Sequence, residues 1–138
     1  MLSFGYTLLT NEAVAGVRDQ RARPAPRRLA HHPPRQAVPG TDLIEELRPV
    51  VVDAAVVWLV RTGRLAPADF AVTDDGCRMN DPARKQFLAA YERRMLTLVS
   101  HPLEGRRVPW RQVLTIQARH LAGVFTGCEA DYRPVLWR

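Results

Sequence analysis

The sequence predicts a mostly α fold, a helical domain with one small β-hairpin. Three observations predict it. Apolar residues recur at helical spacing in the first 17 positions, "TDLIEELRPVVVDAAVVWLVRTG" is apolar nearly all round, and two later segments open on proline. Only "FAVTDDGCRMN" carries a hairpin signature.

The elements follow in order. Leu2 to Val17 reads as a helix, with Leu2, Phe4, Tyr6, Leu8, Leu9, Ala13 and Val17 on one wide face. Residues 18–40, "RDQRARPAPRRLAHHPPRQAVPG", show neither helical nor strand period. Five prolines there forbid a long helix, so this stretch is expected to form a loop without stable secondary structure. Order returns at Thr41. Asp42 is the expected N-cap with Glu45 at N3, close to a capping box. The helix that follows should be central and buried, kinked at Pro49 and closed at Gly63. Val72 and the run Cys77 to Met79 flank the turn at Asp74 to Gly76. Asp81 as N-cap and Pro82 then open a helix to about Ser100. His101 to Arg107 reads as a loop. Pro109 opens the last helix, which stops at Gly127, and the tail "YRPVLWR" is irregular. The 138 residues make one domain with a modest core.

The charge is unevenly placed. The net charge is +6, but residues 18–40 hold six Arg and one Asp, a net of +5. The rest, 14 basic against 13 acidic residues, is nearly neutral, which weakens a reading of the whole domain as a nucleic-acid binder. No run of about 18 apolar residues suggests a membrane span. "MLSFGYTLLT" has no basic n-region and no small-residue cleavage site, so no signal peptide is expected. Cys77 and Cys128 are isolated. Two reduced structural thiols in a cytoplasmic protein are the expectation, with a disulfide left open.

One constellation carries chemistry. Asp42 and Glu45, at i and i+3, share a helix face, and two carboxylates can hold a hard divalent cation. Such an ion can activate a nucleophile and stabilise charge on a phosphodiester. Helix capping plus a favourable dipole interaction is the competing account of the same pair. His31 and His32 are neighbours in sequence and so point in different directions. His101 and His120 are expected at the surface or its rim. Arg93, Arg94, Arg106, Arg107, Arg111 and Arg119 could form a basic face near the last two helices, for phosphate contact, or could each lie on a solvated helix face.

Four segments in series, "LSFGYTLL", "DLIEELRPVVVD", "RKQFLAAYERRM" and "YRP", resemble the CRISPR-associated integrase, the spacer-acquisition nuclease. The resemblance covers residues 2–17 and 42–134. It implies a helical catalytic domain that in the family follows an N-terminal β domain. It also implies metal-dependent DNA cutting and joining, by a homodimer working with a small second adaptation protein. The family holds Mg or Mn with a Glu, a His and an acidic residue. The acidic ligand falls on Glu45, with Asp42 one turn earlier. The Glu belongs upstream of "LSFGYTLL", where this chain starts, so that ligand and the β domain are expected to be absent. The His belongs near Ala30, which makes His31 the nearest candidate ligand.

The family segment expected there, of the type G-L-D-P-x-x-G-x-L-H, is not what the residues spell. Back-translating residues 21–41 and reading one base later permits it. Arg21 to Arg27 permits Gly-Leu-Asp-Pro-His-Leu, Arg27 to Pro33 permits Gly-Val-Leu-His-Thr-Thr, and Pro33 to Thr41 permits Arg-Arg-Gly-Lys-Pro-Ser-Leu-Ala. Residues 18–41 therefore read as a frameshifted stretch closed by a compensating shift, with a natural basic linker as the alternative. The coding DNA, read one base later across codons 21–41, is expected to give G-L-D-P…L-H…P-S-L-A-L. An unrelated peptide in that frame would sink the idea.

The expected function is thus metal-dependent cutting and joining of DNA in spacer acquisition, in a partial catalytic domain expected to be inactive as it stands. The alternative is a small helical DNA- or protein-binding module that uses residues 18–40 as a basic arm. Affinity located in the arm favours the module. Affinity located in the helices and the acidic pair favours the nuclease.

Overall fold

The computed structural model describes the backbone of residues 1–21, 40–74, 76–101 and 104–135, and the side chains of all of these except 17–21, 40–42 and 125. It is mostly helical, as expected. His31 and most of the frameshift-like stretch lie outside the described residues.

Helix α1 spans Leu2–Arg21, four residues beyond the expected end. Val17 to Arg21 hold no glycine or proline, and the first breaker is Pro24, so nothing stops the helix at Val17. The expectation of an unstructured 18–40 segment is corrected at both of its ends, since residues 18–21 finish α1 and Gly40 starts α2. Helix α2 spans Gly40–Leu47. Asp42 is therefore inside the first turn and is not the N-cap, and Glu45 is not at N3. An acidic residue in a first turn still interacts well with the helix dipole.

Pro49 does more than kink the chain. Residues Arg48–Asp53 wind as a π-helix between α2 and α3, Ala54–Arg61. Proline has no N–H to give the i−4 carbonyl and its ring crowds that carbonyl, which favours a wider turn. The Ala54 N–H accordingly reaches the Pro49 carbonyl, five residues back. Helix α3 closes at Gly63, φ 65°, where the Gly63 N–H bonds Val60 O and the Arg64 N–H bonds Leu59 O. That pair of bonds is the left-handed glycine cap expected from the sequence.

Strands β1, Phe70–Thr73, and β2, Gly76–Met79, form the predicted antiparallel hairpin with Thr73 opposite Gly76. Helix α4 spans Asp81–Met95. Its N-cap is Asn80, whose side chain accepts from the Ala83 N–H at 2.8 Å, so the assignment to Asp81 was one residue late. The helix also stops five residues before Ser100. Leu98–Ser100 forms β3, which pairs with β4, Arg107–Pro109. This second hairpin was not expected. Its three-residue strands are too short to show an alternating pattern. Helix α5 spans Trp110–Phe125, and Gly127 follows with φ 70°.

The core lies where α1 packs on α5, α2 and the π segment, and α3 packs on α4. Leu9, Leu43, Leu47, Val51, Val52, Leu59, Phe87, Met95 and Val113 are buried in it. Among the described residues, the α2–α3 segment and α5 together supply most of the buried core, so the expected central place of the α2–α3 segment is shared with α5. Gly5 lies at the closest approach of α1 to this core. A Cβ there would sit 2.5 Å from Val52 Cγ1 and 2.9 Å from Phe87 Cζ. Among the described residues, no helix is long and apolar enough to cross a membrane.

Candidate functional site

Helix α2 presents two acidic side chains to opposite surroundings. Leu43 and Leu47 face the core, and Glu46, at i+3 from Leu43, shares their side. Glu45 is turned outward and its side chain is 58% exposed. It pairs with Arg48, the first residue of the π segment. The Arg48 guanidinium also lies 4.7 Å from the centre of the Tyr6 ring. The Tyr6 hydroxyl donates to Asp53 Oδ1 at 2.7 Å. That bond to a carboxylate, with burial and the nearby negative charge, raises the Tyr6 pKa above its ordinary value. The result is a chain of contacts, Glu45 to Arg48 to Tyr6 to Asp53, that ties α1 to α2 and the π segment.

The acid that sequence reasoning missed is Glu46. Its carboxylate accepts from Tyr132 Oη at 2.8 Å, from the Val135 N–H at 3.1 Å and from Gln117 Nε2 at 3.4 Å. Gln117, fully buried on α5, also donates to Tyr132 Oη and to the Arg133 carbonyl. The described part of the tail, residues 128–135, has no regular structure, as expected, but "YRP" is pinned onto α2 by this network. The signal was available in the spacing of Leu43, Glu46 and Leu47, which puts Glu46 on the apolar face.

The six arginines do not share one environment. Arg111 sits between Glu12, at 3.2 Å, and Glu92, at 2.9 Å, and both carboxylates hold its pKa above the ordinary arginine value. Arg106 pairs with Glu104 at 3.2 Å. Arg107 donates to the Leu98 carbonyl at 3.4 Å across β3 and β4. Arg94 is half-buried, donates through Nε to the Val50 carbonyl at 2.6 Å and lies over the Trp110 ring. Its desolvation lowers its pKa. Arg93 lies over Trp58, and Arg119 is exposed on α5. Neither has a carboxylate partner among the described residues.

The histidines divide. His101, expected at the surface, is buried, because its ring closes the loop before β4. The Glu104 N–H donates to its Nδ1 at 3.2 Å, and burial lowers its pKa. His120 Nδ1 lies 2.6 Å from Glu129 Oε2 at the rim. Cys77 and Cys128 are both free, as the expected reduced thiols would be, and both are exposed.

A metal needs several converging donors. Among the described residues, no group of three or more His, Cys, Asp or Glu side chains could hold one. At the acidic helix the outward described carboxylate is that of Glu45, engaged by Arg48, while the side chain of Asp42 and the whole of His31 lie outside the described residues.

Comparison with known proteins places this arrangement. The family model described as CRISPR associated protein Cas1 matches residues 1–93, about two thirds of the chain. The "CRISPR-associated endonuclease Cas1 1" of Thermus thermophilus is 35% identical over 138 residues, covering 99% of this chain and 43% of that protein. A "CRISPR-associated exonuclease Cas4/endonuclease Cas1 fusion" of Geobacter sulfurreducens is 36% identical over 132 residues, 92% of this chain and 23% of that protein. The chain thus spans less than half the length of these relatives. Among solved structures, a casposase bound to integration product superposes with a TM-score of 0.73 at 22% identity, over 100% of this chain and 41% of that one. A Cas1 protein from Thermotoga maritima gives 0.72 at 24% identity, over 92% and 39%. These two likenesses establish the shared fold. With the family match running from α1 through the acidic helix into α4, the chain belongs to the CRISPR-associated Cas1 family.

Proposed function

We propose that this chain is part of a protein that cuts and joins DNA phosphodiesters during CRISPR spacer acquisition. The observation that carries this reading is the family match over residues 1–93, which spans α1 and the acidic helix together. Supporting it, curated relatives bear the name of Cas1 endonuclease. In the whole protein, Glu45 and Asp42 on α2 are the metal-binding and catalytic acids, with His31 as a further ligand. Mg or Mn is the metal, which supplies charge stabilisation at the phosphodiester when bound. The partners are DNA, a second copy of the chain and a small second adaptation protein, and the compartment is the cytoplasm.

This chain by itself is inactive in our reading. The Glu45 carboxylate rests against Arg48, and one acidic cluster, Asp42 with Glu45, gives too few ligands for tight binding of a hard divalent ion. What the chain's own residues do is bind. Arg107 and Arg119 are exposed and carry charge that no described carboxylate offsets, so the chain holds DNA through phosphates, without metal, and loses it steeply as salt rises.

The test is cleavage of branched DNA by the purified chain with Mn, beside the double variant Asp42→Ala, Glu45→Ala. Neither is expected to cut. Cleavage by the parent that the double variant loses would show an assembled metal site and overturn the claim of inactivity.

A further inference from the structure

A groove of about 290 Å³ runs between α3 and α4, and Glu45 is not among its lining residues. Its floor is made of small residues, Ala54 and Ala55 from α3 and Ala90 from α4, and Trp58 and Arg93 wall it. Past Trp58 it continues into a second hollow of about 190 Å³ that reaches Arg64. Alanines at the crossing keep the two helices from filling the space between them.

The walls pair apolar surface with positive charge. The guanidinium of Arg93 lies 5.2 Å from the centre of the Trp58 ring, and that of Arg64 lies 5.0 Å from it. Both arginines are exposed, and neither has a carboxylate partner among the described residues. No acidic residue lines either hollow. Stacking on the indole holds the two cations in place, so little ordering is left to do when an anion arrives. Val57 on α3 and Leu96 just beyond α4 line neither hollow but leave aliphatic surface exposed on the same two elements, 49% and 61% exposed.

We propose that this groove binds a short segment of a protein partner that carries an apolar side chain flanked by carboxylates. Charge complementarity selects the carboxylates, which two guanidinium forks can accept. The alanine floor selects the apolar anchor, since concave apolar surface gains by desolvation. Nucleic acid suits the groove less well. Duplex phosphates bring no apolar group to fill it, and a base stacking on Trp58 would have to displace an arginine already lying over the ring. The surface is small, so the contact belongs to the weak, transient class. The proposal is independent of the nuclease reading, because the test uses neither metal nor branched DNA.

The probe is a fluorescein-labelled peptide, Asp-Glu-Phe-Leu-Glu-Asp, titrated with the full chain and followed by anisotropy. Saturable binding is expected, weakened about tenfold or more by Arg64→Glu with Arg93→Glu. A peptide with serines in place of Phe and Leu should also bind about tenfold more weakly. Both substitutions are at exposed side chains, and circular dichroism checks the fold. Should the charge-reversed pair not fold, Arg93→Gln alone replaces it, with a loss of about threefold expected. Three results would overturn the proposal: no binding up to about 1 mM, equal binding of the serine peptide, or affinity indifferent to the arginine changes. Displacement of the peptide by a single-stranded oligonucleotide that needs the same two arginines would assign the groove to nucleic acid instead.

Discussion

Replacing Phe87 by Ala is expected to lower the unfolding free energy by about 4 kcal/mol. Phe87 is fully buried on α4. Its ring lies 5.7 Å from Phe4 of α1 and 6.5 Å from Tyr91, so it joins two helices through one side chain. Truncation removes the transfer free energy of the ring and leaves a cavity bounded by Val52, Phe4 and the α1 backbone, which the packed helices cannot close. Small domains have roughly 5–15 kcal/mol in total, so a large part of the stability goes. Phe87→Leu retains most of the volume and should cost about 1 kcal/mol. Urea unfolding measures both. An Ala variant within about 1 kcal/mol of the parent would mean that Phe87 does not join α1 to α4.

The second large effect comes from the opposite error, too much volume. Gly5→Ala places a methyl group 2.5 Å from Val52 Cγ1 and 2.9 Å from Phe87 Cζ. Neither neighbour is the free end of a flexible chain, because both are buried in the core. Helix propensity favours alanine by about 1 kcal/mol, but overpacking costs up to about 3 kcal/mol or more, so net destabilisation of about 2 kcal/mol is expected. Val52→Ala in the same chain removes the nearest clashing atom. The double variant should therefore be more stable than the sum of the two single losses predicts. If Gly5→Ala stabilised the protein, α1 would have to sit farther from α4 than the structure places it.

These two residues also bear on why the sequence was legible where it was. "LSFGYTLL" reads as a signature, and its letters turn out to be packing: Phe4 and Gly5 against Phe87, Tyr6 against Asp53, and Leu9 in the core. Helices with a strong apolar face, or with proline and glycine at their ends, were placed to within a few residues. The failures have local causes. Asn80 outcompeted Asp81 as a cap because it stands one residue before, with its side chain in reach of the Ala83 N–H. The second hairpin is made of strands too short to carry a period. His101 looked exposed beside Pro102, and its burial is a tertiary feature that spacing in the sequence does not carry. At the candidate site, the acidic pair Asp42 and Glu45 was visible, and the placement of Glu45 on α2 is now known. What spacing could not show is that Glu46 is the acid turned inward and that Arg48 takes the outward one.

The π segment at Arg48–Asp53 has an angular consequence. Each residue of an α-helix turns the chain by about 100°, and widening a turn to i→i−5 contacts accommodates roughly one extra residue without advancing the α phase. The insertion resets the rotational phase between the acidic helix and α3. Deleting one residue from the segment would let α winding run straight through and keep the present angle between α2 and α3. The same six residues wound as plain α would instead swing Trp58 and the alanines by about 100° relative to Glu45, if α2 held its orientation. One residue in six thus sets the angle between the outward acid of α2 and the α3–α4 groove.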